Sequence, residues 1–167
     1  MMVLNLKSGM NNKVDYFDAG YDAFYKKNYE AAISNFTAAL NIEKNIFQIH
    51  MIHNELIQSF YRLRNTYPDA LENCILFCKK DIEILPEFAR YYKKEWPPEK
   101  GSSLPECPSL KQLIIIYEKQ KKFDEVIKIC LFAIAHGYDD RYDWYNKTYG
   151  TKKGFKEKLI KLEKKRS

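Results

Sequence analysis

Three thirteen-residue stretches, NYEAAISNFTAAL (28–40), TYPDALENCILFC (66–78) and KFDEVIKICLFAI (122–134), place the same classes of residue at the same positions. In one register Tyr29, Tyr67 and Phe123 share the first slot, Ala32, Ala70 and Val126 the next, and Phe36, Cys74 and Cys130 the one after. Ala39, Phe77 and Ala133 follow, then Leu40, Cys78 and Ile134. Steps of three and four residues trace one face of an α-helix, so each copy predicts an amphipathic helix that needs a neighbour to cover it. A unit repeated three times that cannot bury its face alone predicts an array of stacked units.

The neighbour is supplied locally. YFDAGYDAFYKKN, HNELIQSFYRLRN and SLKQLIIIYEKQK precede the three copies, each running into a short polar turn. In the first of them Tyr16, Ala19, Gly20 and Ala23 recur at i, i+3, i+4 and i+7, so this face is expected to be the buried one. Small side chains there permit close approach of two helices. The expected fold is all-α: antiparallel helix pairs at about 14–41, 50–83 and 108–136, arranged as one domain. With 46% hydrophobic residues, 13 Tyr and 10 Phe but only six Gly and six Pro, a chain of 167 residues has ample packing groups and few helix breakers.

These residues resemble the tetratricopeptide repeat. That family places a small residue in its first helix, an aromatic at the start of the second, then a small residue, an aromatic and another small residue, and here Gly20, Tyr29, Ala32, Phe36 and Ala39 fill those slots. The match spans roughly 34 residues, the family's repeat length. The second copy departs with Gln58 and Phe77, the third with Ile114, Val126 and Cys130, and the longer spacing between them marks an insertion at 86–107. The resemblance implies an α-α superhelix whose first helices line a concave peptide-binding surface. Family members that hold acidic chaperone tails use Lys and Asn on successive first helices; the corresponding positions here are Phe17, Tyr21, Leu56, Pro108 and Gln112, so that clamp is absent.

Within the insertion, Pro86 suits the first position of a short separate helix, PEFARYYKKEW, ahead of a proline-rich loop, WPPEKGSSLPECP. Gly137 reads as a helix stop. A terminal helix at 153–165, with Phe155, Leu159, Ile160 and Leu162 inward, would cap the apolar end of the array. Residues 152–166 carry eight Lys or Arg and two Glu, which accounts for the whole net charge of +6.

Chemistry-bearing residues are few. His50, His53, Cys74 and Cys78 have a spacing that allows a tetrahedral zinc site, but both cysteines occupy the packing slots of the repeat, so they read as reduced, buried thiols and no metal is expected. Asp139, Asp140 and Asp143 lack the glycine and terminal glutamate of a calcium loop and read as solvated loop acids. No nucleophile elbow, phosphate loop or HExxH motif is present, so no catalytic residue and no cofactor are assigned.

The remaining candidate is the stripe Phe17, Tyr21 and Phe24, with Tyr25 beside it, which lies off the face assigned to the partner helix. Contiguous exposed aromatics mark interaction surfaces; the alternative is packing against Leu56, Ser59 and Leu63 of the next pair. The expected function is non-enzymatic protein binding, with an unidentified protein or peptide as partner. The lesser alternatives are nucleic-acid contact through the basic terminal helix and a self-associating structural subunit. The opening MMVLNLKSGMNNK has only a short apolar stretch, interrupted at Asn5, and no long apolar stretch follows, so a cytoplasmic protein without membrane contact is expected.

Overall fold

The computed structural model describes residues 15–96, 104–139 and 154–164. All regular structure among them is helical: α1 (Tyr16–Tyr25), α2 (Tyr29–Ile42), α3 (Ile46–Leu63), α4 (Ala70–Glu95), α5 (Pro108–Lys119), α6 (Phe123–Ala135) and α7 (Phe155–Glu163). Each helix packs on the next along the chain, and α3 also meets α5. Along α3 and α4, Phe47 stacks with Phe88, His50 meets Asp81 and Phe60 stacks on Phe77, so contacts that climb one helix descend the other.

Local signals set the helix ends. The Asp15 carboxylate accepts from the Phe17 and Asp18 amides, Asn28 from Ala31, and Asn45 from Phe47 and Gln48, which satisfies amides that a helix leaves unpaired at its start. Pro108 opens α5, where its missing N–H costs nothing. The α1–α2 and α5–α6 turns are built alike. Lys27 (φ 61°) and Lys121 (φ 57°) are left-handed, and the next amides, of Asn28 and Lys122, donate back to the carbonyls of Ala23 and Tyr117. Gly137, at φ 80°, ends α6 in the same way, with the Tyr138 amide bonded to the Ala133 carbonyl.

The repeat register corresponds to burial. Ala32, Ala70 and Val126 are buried in the second helix of each pair, as are Phe36, Cys74 and Cys130. The first slot is looser: Tyr67 lies in the turn before α4, and both it and Phe123 are exposed. Gly20 is where α1 and α2 come closest, with the Phe36 ring lying directly over it. Tyr16, expected on this inner face, is exposed instead, and Phe17 and Tyr21 close on Phe36 edge-on from its flank.

Four further expectations are corrected. No break occurs at Pro86: α4 runs through it to Glu95, so 86–95 belongs to the helix and only the rest of 86–107 is insertion. An interior proline costs about 3 kcal/mol or more. Leu85 and Phe88, both fully buried, offset that cost at about 2 kcal/mol each. α3 likewise begins at Ile46, ahead of residue 50, because Asn45 caps it. In α7, Phe155 and Leu162 are buried but Ile160 faces outward.

Asp139 is the fourth correction. It is 2% exposed, and its Oδ1 accepts from the Phe155 amide at 2.6 Å and the Lys156 amide at 3.4 Å, so it caps α7 from sixteen residues away. Residues 1–14, Asp140, Asp143 and the outer ends of the 153–165 segment lie outside the described residues.

A Cβ on Gly20 would fall 2.6 Å from two ring carbons of Phe36. Gly20→Ala is therefore expected to destabilise by about 1–3 kcal/mol through overpacking, despite alanine's better helix propensity. A chemical denaturation curve matching that of the wild type would show that α1 and α2 do not pack through this contact.

Candidate functional site

The α1 stripe divides between internal packing and surface. The Phe17 and Tyr21 rings meet edge to face at 4.9 Å, and both lean on Phe36. Tyr21 also donates its hydroxyl to Glu55 Oε1 on α3 at 3.1 Å. Phe24 packs edge-on against Tyr29. Tyr25 stacks on Tyr21 with its ring centroid 6.2 Å away and is 78% exposed. Half-buried Phe17, Tyr21 and Phe24 thus brace the first pair, and Tyr25 extends their surface outward.

At the opposite end of α1 a groove of about 490 Å³ opens between Tyr16 and Phe17 of α1, Ala39 and Ile42 of α2, and Ile52 of α3, with Asp15 and Glu43 at its polar edge. Ile42 is 58% exposed. An apolar floor with an acidic rim suits an apolar side chain on an extended or basic segment. This groove was not evident from the sequence, because Ile42 falls at the last position of its helix, where the repeat pattern has already ended.

The histidines weighed as zinc ligands have a different partner. Asp81, with no exposed surface, sits on α4 facing α3. Its Oδ1 lies 2.8 Å from His50 Nδ1 and 3.4 Å from His53 Nδ1, while the Asn54 amide nitrogen lies 3.1 Å from His50 Nε2. Burial by itself would raise the Asp81 carboxyl, but the His50 hydrogen bond and the neighbouring His53 imidazole outweigh it and hold the group below the ordinary carboxylate range. The sequence carried a signal for this residue. Cys74, Cys78, Asp81, Leu85 and Phe88 step by four, three, four and three, so Asp81 falls in the middle of the buried stripe.

Cys74 donates its thiol to the Ile57 carbonyl at 3.5 Å. The Cys78 thiol is pushed far up by Cys74 and by burial, Cys107 by burial, and Cys130 by burial to about 11. At neutral pH all three remain thiols, poor nucleophiles and poor metal ligands. All four cysteines are free and buried, and among the described residues no three His, Cys, Asp or Glu side chains are placed to hold one metal ion.

The terminal helix spends part of its charge internally. Lys158 Nζ reaches both Glu118 oxygens at 2.9 Å, and Lys156 Nζ lies 3.7 Å from Asp139 Oδ2. No helix among the described residues is long and apolar enough to cross a membrane.

No protein-family model, curated protein or solved structure matches the chain.

Removing Asp81 leaves the buried His50 imidazole without its acceptor and takes away the carboxylate beside His53, so Asp81→Ala is expected to cost about 3–5 kcal/mol in urea denaturation. Because its folded value is depressed, the stability it provides is complete above its unfolded value of about 3.9 and is lost as pH falls through the lower folded value. Wild type should therefore lose more stability than Asp81→Ala on acidification below about pH 4; equal losses would mean that the carboxylate is not the acceptor.

Glu55 has the opposite sign. Burial raises its carboxyl and the Tyr21 hydroxyl only partly lowers it, so its contribution is present below the unfolded value and is lost as pH rises through the folded one. Glu55→Gln keeps an acceptor for Tyr21 and has no charge to bury. It should be more stable than wild type at pH 7, with a smaller difference at pH 4, as measured by paired denaturation curves.

Proposed function

We propose that this chain is a tetratricopeptide-like protein-interaction module that takes a partner segment along α1. The carrying observation is the arrangement of the first pair. Tyr25, stacked on Tyr21, projects at one end of α1, and the groove beside Tyr16, Phe17 and Ile42 opens at the other. Between them Phe17, Tyr21 and Phe24 are braced from behind by Phe36, Glu55 and Tyr29, so the surface is preformed. A rigid aromatic anchor loses little conformational freedom on binding, which is why such residues dominate interface energetics.

The mechanism is burial of apolar partner side chains against that surface, with Asp15, Asp18 and Glu43 favouring a segment that also carries Lys or Arg. The three-copy register of buried slots supports the repeat reading on which this proposal rests.

Tyr25 and Ile42 are the informative positions because both are largely solvent-exposed. Tyr25→Ala and Ile42→Glu should each weaken capture of a native partner by roughly 1–2 kcal/mol or more while leaving the thermal melt near that of wild type. Tyr21→Ala should lower both, since its ring also packs on Phe36. If both exposed-site variants retain every partner of the wild type at full strength, the α1 surface is not where partners bind.

A further inference from the structure

A second surface differs in chemistry. On α3, the Arg64 guanidinium lies 4.1 Å from the centre of the Tyr61 ring, and Lys119 of α5 donates to the Tyr61 hydroxyl at 3.2 Å. Two residues past Lys119, a depression of about 500 Å³ is lined by Lys79 of α4, Tyr117 of α5, the turn lysines Lys121 and Lys122, Phe123, which is 40% exposed, and the acids Asp124 and Glu125. Glu125 is paired with Lys128, and Glu118 of α5 with Lys158. Glu125 is held below the ordinary carboxylate range by Lys128 first, with Lys79 and Lys122 adding to the effect, as expected where cations converge.

Backbone conformation gives an independent observation. Lys121 is held left-handed at φ 57°, where glycine or asparagine is the usual occupant, as Lys27 is in the α1–α2 turn. That backbone task needs no side chain, and Lys121 lines the depression.

We infer that this basic edge, formed by Arg64, Lys79, Lys119, Lys121, Lys122 and Phe123, binds single-stranded nucleic acid. Phosphates would lie along the cations and a base would stack on the Phe123 ring. An acidic peptide would use the cations but not the ring, and a duplex would hide its base faces, so the exposed aromatic among lysines favours a single strand. The surface is separate from the α1 face, and its failure would leave the reading of that face untouched.

The test uses the full chain and fluorescein-labelled oligo-dT and oligo-U of twenty nucleotides, followed by anisotropy at two salt concentrations. Lys79→Ser and Lys121→Gly should each weaken binding at low salt and lower the salt slope by about 0.7. Phe123→Ala should weaken binding at least about five-fold at both salt concentrations, because base stacking is not an ionic contact. Lys121→Gly also relaxes the left-handed position, so its melting temperature should equal or exceed that of wild type, which separates lost binding from lost folding. Lys44→Ser removes an exposed charge elsewhere and should leave the affinity within about two-fold.

Binding that survives in the Lys79 and Lys121 variants would overturn the inference and place the contact elsewhere, such as the terminal helix. A poly-glutamate peptide that displaces the oligonucleotide equally well, together with an inert Phe123→Ala, would overturn it in favour of an acidic-peptide surface. No measurable binding to either oligonucleotide at low salt would also overturn it.

Discussion

A carboxylate with no exposed surface, Asp81, fixes the centre of this protein. Taking such a group out of water costs several kcal/mol, and the cost is met only when hydrogen-bonding partners arrive at set positions. They come from α3, where His50 and His53 are separated by three residues and so lie on one face. Sliding α3 along α4 by a turn would carry at least one of the two imidazoles out of reach of the carboxylate. The buried polar cluster therefore favours one register of α3 on α4. α5 then packs across both helices, and Tyr138 donates its hydroxyl to the Leu85 carbonyl of α4 at 3.1 Å.

The first pair is held by shape. Gly20 removes the side chain that would keep α1 away from α2, and Phe36 fills the space so gained. One ring over one glycine leaves little room for the neighbouring aromatics. Phe17 and Tyr21 are displaced to the flank, where they pack on Phe36 with one edge and face outward with the other. The same close approach that stabilises the pair therefore creates the half-exposed aromatic surface on which the proposed partner binding depends. Tyr21 is joined to α3 through Glu55, so that surface is continuous with the central pair.

Charge is organised by the ends of helices. Lys26 and Lys27 just past the end of α1, Lys119 in the last turn of α5 and Arg62 in that of α3 complement the negative ends of those helices. Where two such turns lie side by side, at α3 and at α5–α6, the cations accumulate because their acidic neighbours are drawn into pairs with Lys128 and Lys158. The excess positive charge of residues 152–166 is thus only part of the electrostatics. Lys158 serves to fasten α7 to α5.

The sequence by itself determined the helical class, the three-copy register and the slots that face inward, because a period of 3.6 residues is a property of the local chain. The stop at Gly137 was legible in the same way; the caps at Asp15, Asn28 and Asn45 are equally local, a side chain acting on its own backbone, but they were recognised only in the structure. The tertiary structure decided what depends on a second segment. Pro86 stays inside α4 because Leu85 and Phe88 have a core to enter, and Asp139 is a cap because Phe155 is brought to it. Asp81 lay legibly on the buried stripe, but its partners on α3 were set only when the helices met. The groove at Ile42 and the basic edge around Phe123 belong to this second group: each joins residues from at least three elements, and no pattern along one helix encodes where another will stop.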